Sequence, residues 1–258
     1  MQDTSKRPVI LVTNDDGIKA PGLRTLIRIM NEFGDVLVVA PDKPQSGMGH
    51  AITIHSPLRL QEVQINGHRE YECSGTPVDC VKLAVNQLLH RKPDLCVSGI
   101  NHGQNSSINV IYSGTMSAAV EGAIESIPSI GFSLLDHSVG ADFSEAEDVV
   151  RQVVSQVLEH GLPEGTCLNV NIPRKSEEKL KGIKVCRQAM ARYEEEFEER
   201  RDPMGIPYFW LTGVFRIQDH GEDTDEWALK NHYVSVVPVQ FDMTSHHSIS
   251  TLNQWDFE

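Results

Sequence analysis

The chain has 258 residues, 40% of them apolar, and its 36 acidic against 23 basic side chains give a net charge of −13. That length sets one large domain, or a domain with an extension, with ample material for a core. The acidic balance excludes sequence-independent binding to a nucleic-acid duplex, which needs a basic surface to displace counterions; a small phosphorylated substrate needs only a local cation and stays open.

The opening residues MQDTSKRPVI lack the apolar core of a secretory leader, and no apolar run reaches membrane-spanning length. The cysteines (Cys73, Cys80, Cys96, Cys167 and Cys186) are scattered and form no CxxC pair. They read as buried thiols of a cytoplasmic protein, without a zinc or disulfide framework.

In chain order, PVILVT (8–13) reads as a strand. Pro21 opens a helix with Leu23, Leu26, Ile27 and Met30 on one face and Gly34 as its stop. VLVVA (36–40) is a second strand, and 52–65 reads as an irregular or hairpin region. Thr76, Pro77 and Asp79 supply the N-cap, the first helical position and a favourable charge for the next helix. DLCVS (94–98) and SIGFSL (129–134) are strands flanking a helix near 116–124. Ser144 and Glu147 have the spacing of a capping box before a valine-rich helix, and strands at 167–172 and 183–187 follow.

Strands alternating with helices predict an α/β fold in which a mainly parallel sheet is covered on both faces. Composition changes near residue 190. The charged RYEEEFEERRDPMGIP precedes aromatic YFWLTGVFRI (208–217) and then HYVSVVPV (232–239). The expectation is a core over 1–187 and a C-terminal extension over 188–258, a hairpin arm plus tail whose apolar face another subunit would cover. An edge strand on the same sheet is the equal alternative.

In open α/β sheets ligands bind beyond the carboxyl ends of the strands. There this sequence places Asn14-Asp15-Asp16-Gly17, then APDKPQSG with Ser46, then SGINHGQN with Asn101 and Asn105, then YSGT with Ser113, Gly114 and Thr115. Each alone is an ordinary turn, loop or helix cap. Together, four polar loops should converge on one rim. Two carboxylates, a hydroxyl and a carboxamide are hard oxygen donors suited to Mg²⁺ or Mn²⁺ and poorly suited to Zn²⁺. A glycine-flanked helix start offers backbone N–H groups to a phosphate. Dinucleotide, P-loop and nucleophile-elbow motifs are absent. Phosphate-ester hydrolysis by a cation-activated water is where these residues point.

LVTNDDGIKAPG, APDKPQSG, SGINHGQN and YSGTMSAA, in this order and spacing, resemble the SurE family of survival proteins, metal-dependent 5′/3′-nucleotidases. The resemblance implies a Rossmann-like three-layer core and a C-terminal arm exchanged between subunits of a homodimer or homotetramer. It implies one divalent cation held by Asp15, Asp16, Ser46 and Asn101, with Asp15, Asp16 and Asn101 catalytic. It also implies a phosphate pocket lined by Asn14, Asn105, Ser113, Gly114 and Thr115. Nucleoside monophosphates are the expected substrates. Short polyphosphates or sugar phosphates are the enzymatic alternative, and nucleotide sensing without catalysis is the other.

Overall fold

The computed structural model describes residues 7–138 and 140–257. The first strand, β1 (Val9–Thr13), is followed by α1 (Pro21–Phe33) and β2 (Asp35–Pro41). β3 (Leu60–Ile65) and β4 (His68–Cys73) form the hairpin expected near 52–65, turning at Asn66-Gly67, both with positive φ. Next come α2 (Pro77–Leu83), extended by a π-turn over Ala84–Leu88, then β5 (Leu95–His102), α3 (Asn109–Tyr112), α4 (Gly114–Ile124) and β6 (Ser129–Leu134). The chain continues through α5 (Ser144–His160), β7 (Thr166–Ile172), β8 (Ile183–Val185), β9 (Ala191–Arg201) and β10 (Pro207–Ile217). It ends in α6 (Asp225–Lys230), β11 (Val234–Gln240) and α7 (His246–Leu252).

Nine strands form one sheet in the order β3-β4-β2-β1-β5-β6-β7-β11-β8; β3 and β4 run antiparallel to one another, as do β7 and β11, and the other neighbours pair in parallel. Both faces are covered, which explains the near-continuous apolar strands. Successive side chains of a strand face opposite sides. Ile10 and Val12 therefore pack with α1 and α5, whereas Leu11 joins Cys80, Val81 and Ala118 from α2 and α4. The chain adds strands on one side of β1 first and on the other side from β5 onward. The β1–β5 boundary is thus the topological switch point, where open α/β sheets leave a crevice.

Thr76 caps α2 as expected, and Asp79 does more than supply charge, closing a capping box: the Thr76 hydroxyl accepts from Asp79 N–H, and the Asp79 carboxylate accepts from Thr76 N–H. The one expected at Ser144 does not form. Phe143 is the cap residue, and Asp142 accepts the Ser144 N–H at 2.9 Å. Glu147 turns instead to Arg28 and Arg151. β5 runs to His102, with a register shift against β6 between Ser98 and Asn101. Asn101 therefore sits on a strand end and not in a loop.

The charged segment after residue 190 is a strand. β9 pairs with β10 over eleven rungs in a separate two-stranded ribbon. By contrast, β11 lies inside the main sheet between β7 and β8. The chain leaves the sheet for the ribbon and then returns to it. Arg187, hydrogen-bonded to Asp219 and Asp223, holds the base of the ribbon. Among the described residues, no helix is long and apolar enough to cross a membrane.

Candidate active site

β1 delivers Asn14, Asp15 and Asp16 to the switch point. Asp15 is 5% exposed and Asn14 is 1% exposed. Asn14 Nδ2 donates to the Gly17 carbonyl at 3.0 Å, closing the turn, while Asn14 Oδ1 is buried without a hydrogen-bond partner. The Gln45 N–H donates to the Asp15 carbonyl at 2.7 Å, which docks the Ser46 loop beside the carboxylates. Ser46 itself is exposed. From β5, the His102 N–H donates to Asp16 Oδ2 at 3.4 Å. Asn101 is half-buried, and its Nδ2 donates to the Gly103 carbonyl at 3.0 Å.

The start of α4 faces Asp15. The Thr115 hydroxyl donates to that carboxylate. Glycine is required at 114 by this approach: a Cβ there would lie 2.6 Å from Asp15 Cβ and 2.9 Å from Asp15 Oδ2. Ser113 caps the helix, accepting from Met116 N–H at 3.0 Å through Oγ and from Ser117 N–H through its carbonyl.

Burial is the main reason the Asp15 carboxyl is pushed up to about 6, and the neighbouring Asp16 charge adds to it. Burial also raises Asp16, against the opposing pull of the His102 N–H and imidazole. Two carboxylates and an orphaned amide oxygen thus crowd one point, rich in acceptors and poor in donors. That donor set fits a hard divalent cation. Among the described residues no three of His, Cys, Asp and Glu gather to hold a metal, so neutral oxygens such as those of Ser46 and Asn101 would have to complete a cation's shell.

Asn105 belongs to a buried network that sequence reasoning missed. Its N–H donates to Asn171 Oδ1 at 2.7 Å, its Nδ2 donates to Ser133 Oγ at 2.8 Å, and its carbonyl accepts from Asn169 Nδ2 at 2.8 Å. Asn171 Nδ2 then donates to Asn169 Oδ1 at 2.8 Å. The signal available in the sequence was the pair of asparagines, alternating with apolar residues, in CLNVNI. The next loop residues are tied down by α6: Asp225 Oδ2 accepts from Ser107 N–H at 2.7 Å, and Glu226 accepts from the Ser106 hydroxyl at 2.6 Å. The structure therefore gathers Asn14, Asp15, Asp16, the Ser46 loop, the end of β5, and Gly114 with Thr115. Asn105 is held from behind by β6 and β7.

A family model described as "Survival protein SurE" matches residues 10–195. A relative in Flavobacterium psychrophilum, named 5′-nucleotidase SurE, is 64% identical over 252 residues, spanning 97% of this chain and 98% of its own. One of the same name in Bacteroides fragilis is 49% identical over 258 residues, 98% of this chain and 99% of its own. The crystal structure of the SurE protein from Aquifex aeolicus superposes with a TM-score of 0.83 at 40% identity, covering 95% of this chain and 98% of that one. With that fold, those motifs and this extent of match, the chain belongs to the SurE family.

Proposed function

We propose that this chain is a 5′-nucleotidase: a phosphomonoesterase, dependent on one Mg²⁺ or Mn²⁺ per subunit, that hydrolyses nucleoside 5′- and 3′-monophosphates to nucleoside and phosphate. The observation that carries the reading is the buried Asp15 carboxylate beside Asp16 at the switch point, where adjacent negative charges call for a cation. The names of the relatives agree with it.

Asp15, Asp16, Ser46 and Asn101 would hold the cation. Once bound, the cation supplies charge against the phosphate oxygens and acidifies the attacking water. Thr115 fixes the orientation of the Asp15 carboxylate through Oδ1. The N-terminus of α4 at Gly114, the positive end of that helix, would turn backbone N–H groups toward a phosphate oxygen. Asn14 and Ser113 close the floor of the pocket, and Asn105 is held in its wall by Asn171 and Ser133.

The β9–β10 ribbon exposes Phe197, Phe209, Trp210, Leu211 and Val214. Such an apolar surface suits contact with a second copy, as a homodimer or homotetramer built through the arm. The five cysteines are buried and free, which suits a reducing cytoplasm.

Phosphate release from mixed nucleoside monophosphates, with Mn²⁺ and then with a chelator, tests the function. Release that depends on the cation is expected. Release from polyphosphate or sugar phosphates alone would move the assignment to those substrates, and nucleotide binding without release would make the chain a sensor.

A further inference from the structure

Residues 42–59, between β2 and β3, form neither helix nor strand, yet they carry Ser46. Individual ties set their place. Ahead of Ser46, the Gln45 N–H holds the Asp15 carbonyl. Beyond it, the Gly49 N–H donates to the Tyr112 carbonyl at 3.3 Å, and the Thr76 hydroxyl donates to the Ala51 carbonyl at 2.7 Å. Thr53 then donates to Asp79 through its N–H at 3.1 Å and its hydroxyl at 2.6 Å. Gly47 and Gly49 have φ of +73° and +55°. Glycines leave a chain many alternatives, so the turn that carries Ser46 needs a fixed point on its far side.

That point is His50. Its Nε2 lies 2.9 Å from Oε2 of Glu121, a buried carboxylate of α4. Glu121 Oε1 accepts from Lys82 Nζ of α2 at 2.5 Å. Burial would raise the Glu121 carboxyl, but its hydrogen bonds from His50 and Lys82 outweigh that and hold it below the ordinary range. A buried carboxylate needs one opposite charge, and Lys82 supplies it. The second partner does something else: it fastens the loop to the helix. Gly114, Ser117 and Glu121 are spaced three and four residues apart, so they share one face of α4. Glu121 stands about 10 Å along the helix from Gly114. One helix thus meets Asp15 at its start and grips the Ser46 loop two turns later.

We propose that Glu121 and His50 are a positioning pair for the cation site: their contact fixes the far end of the 46–49 turn and so sets where the Ser46 hydroxyl stands relative to Asp15 and Asp16. The inference rests on the reading of Ser46 as a cation ligand and deepens it, adding two residues that touch neither cation nor substrate. A ligand placed in advance costs less ordering when the ion arrives, so the pair acts on cation affinity. Lys82 balances charge and does not hold the loop.

The test is titration of Mn²⁺ into the full chain, followed by electron paramagnetic resonance of the free ion. His50→Ala leaves Glu121 paired with Lys82, so the fold is kept, and the Kd for Mn²⁺ should rise about ten-fold, the scale of a lost partner behind a metal ligand. Glu121→Ala should match it. His50→Gln, whose amide N–H can reach Glu121, should restore binding. Lys82→Ala leaves His50 on Glu121, so it should lower the urea midpoint while Mn²⁺ binding holds. In Ser46→Ala, the further change His50→Ala should cost nothing more, because the oxygen it positions is gone. Unchanged affinity in His50→Ala, an equal loss in Lys82→Ala, or full additivity of Ser46→Ala and His50→Ala overturns the proposal. Absence of Mn²⁺ binding by the unmodified protein overturns the metal reading and this role with it. Binding that Ser46→Ala leaves unchanged overturns this role alone, with Asp15 and Asp16 keeping theirs.

Discussion

The switch-point rim and the β9–β10 ribbon are built on opposite principles. At the rim several polar groups are buried and answered by a named partner: Asp15 by Thr115, Asn105 by Asn171 and Ser133, Ser107 by Asp225. On the ribbon the two strands pair over eleven rungs, their outer edges stay unpaired within the ribbon, and Phe209, Trp210 and Leu211 remain 59%, 56% and 62% exposed. The rim is rigid and electrostatically expensive, as a site that must position charge has to be. The ribbon is incomplete in edge pairing and in packing, which suits the proposed contact with a second copy.

Perturbing the rim should give the larger effects. Asp15→Asn keeps the acceptor for Thr115 and removes one charge from the cation site, so kcat/KM for a nucleoside monophosphate should fall at least about 10³-fold with the fold intact by circular dichroism. Full turnover by this variant would break the assignment of the rim as the catalytic region.

The ribbon is tested by its removal. Met190 and Gln218 are already joined, the Gln218 N–H donating to the Met190 carbonyl at 2.9 Å, so a short glycine-serine link can replace 191–217 without touching β11. Light scattering should then give the mass of a monomer. An oligomer of unchanged mass would assign the assembly to another surface.

Smaller effects probe the support behind the rim. Asn171→Ala leaves the Asn105 N–H buried and unanswered, which should cost about 1–3 kcal/mol in urea unfolding. A loss below about 0.5 kcal/mol would show that the network contributes little.

Comparable in size is the cation-free stability of the rim itself. Because burial raises Asp15 from 3.8 to about 6, the folded state holds this proton more tightly than the unfolded state does. Stability from this group is full below pH 3.8 and is lost as pH rises through about 6. In the presence of chelator at pH 7.5, Asp15→Asn should therefore be more stable than the parent by about 3 kcal/mol. The difference should vanish below pH 4, and a destabilised variant at pH 7.5 would contradict the sign.

Much of the rim could be read from sequence because it follows from local rules. Parallel strands buried on both faces are apolar runs, and the residues after each run lie on one edge. Thr76, Pro77 and Asp79 carried their own cap geometry. The Ser144 cap failed because a competing carboxylate, Asp142, sits two residues earlier and takes the Ser144 N–H. The Asn105 support was hidden because its partners lie on strands 28 and 66 residues away, set by sheet order and not by spacing. β9 escaped notice because a two-stranded ribbon with both faces exposed has no apolar alternation to display; glutamates and arginines together occupy most of its positions. The place of β11 in the sheet was equally non-local, since it depends on the chain returning after the ribbon.

The central claim is that adjacent carboxylates at the β1–β5 switch point exist to hold a divalent cation. Titration of Mn²⁺ into the full chain, followed by electron paramagnetic resonance of the free ion, tests it most directly. The account predicts one bound ion per chain at pH 7.5, weakened as pH falls below about 6 where the Asp15 proton competes, and lost in Asp15→Asn. Equal binding by the parent and Asp15→Asn, or no stoichiometric binding by the parent, would contradict it.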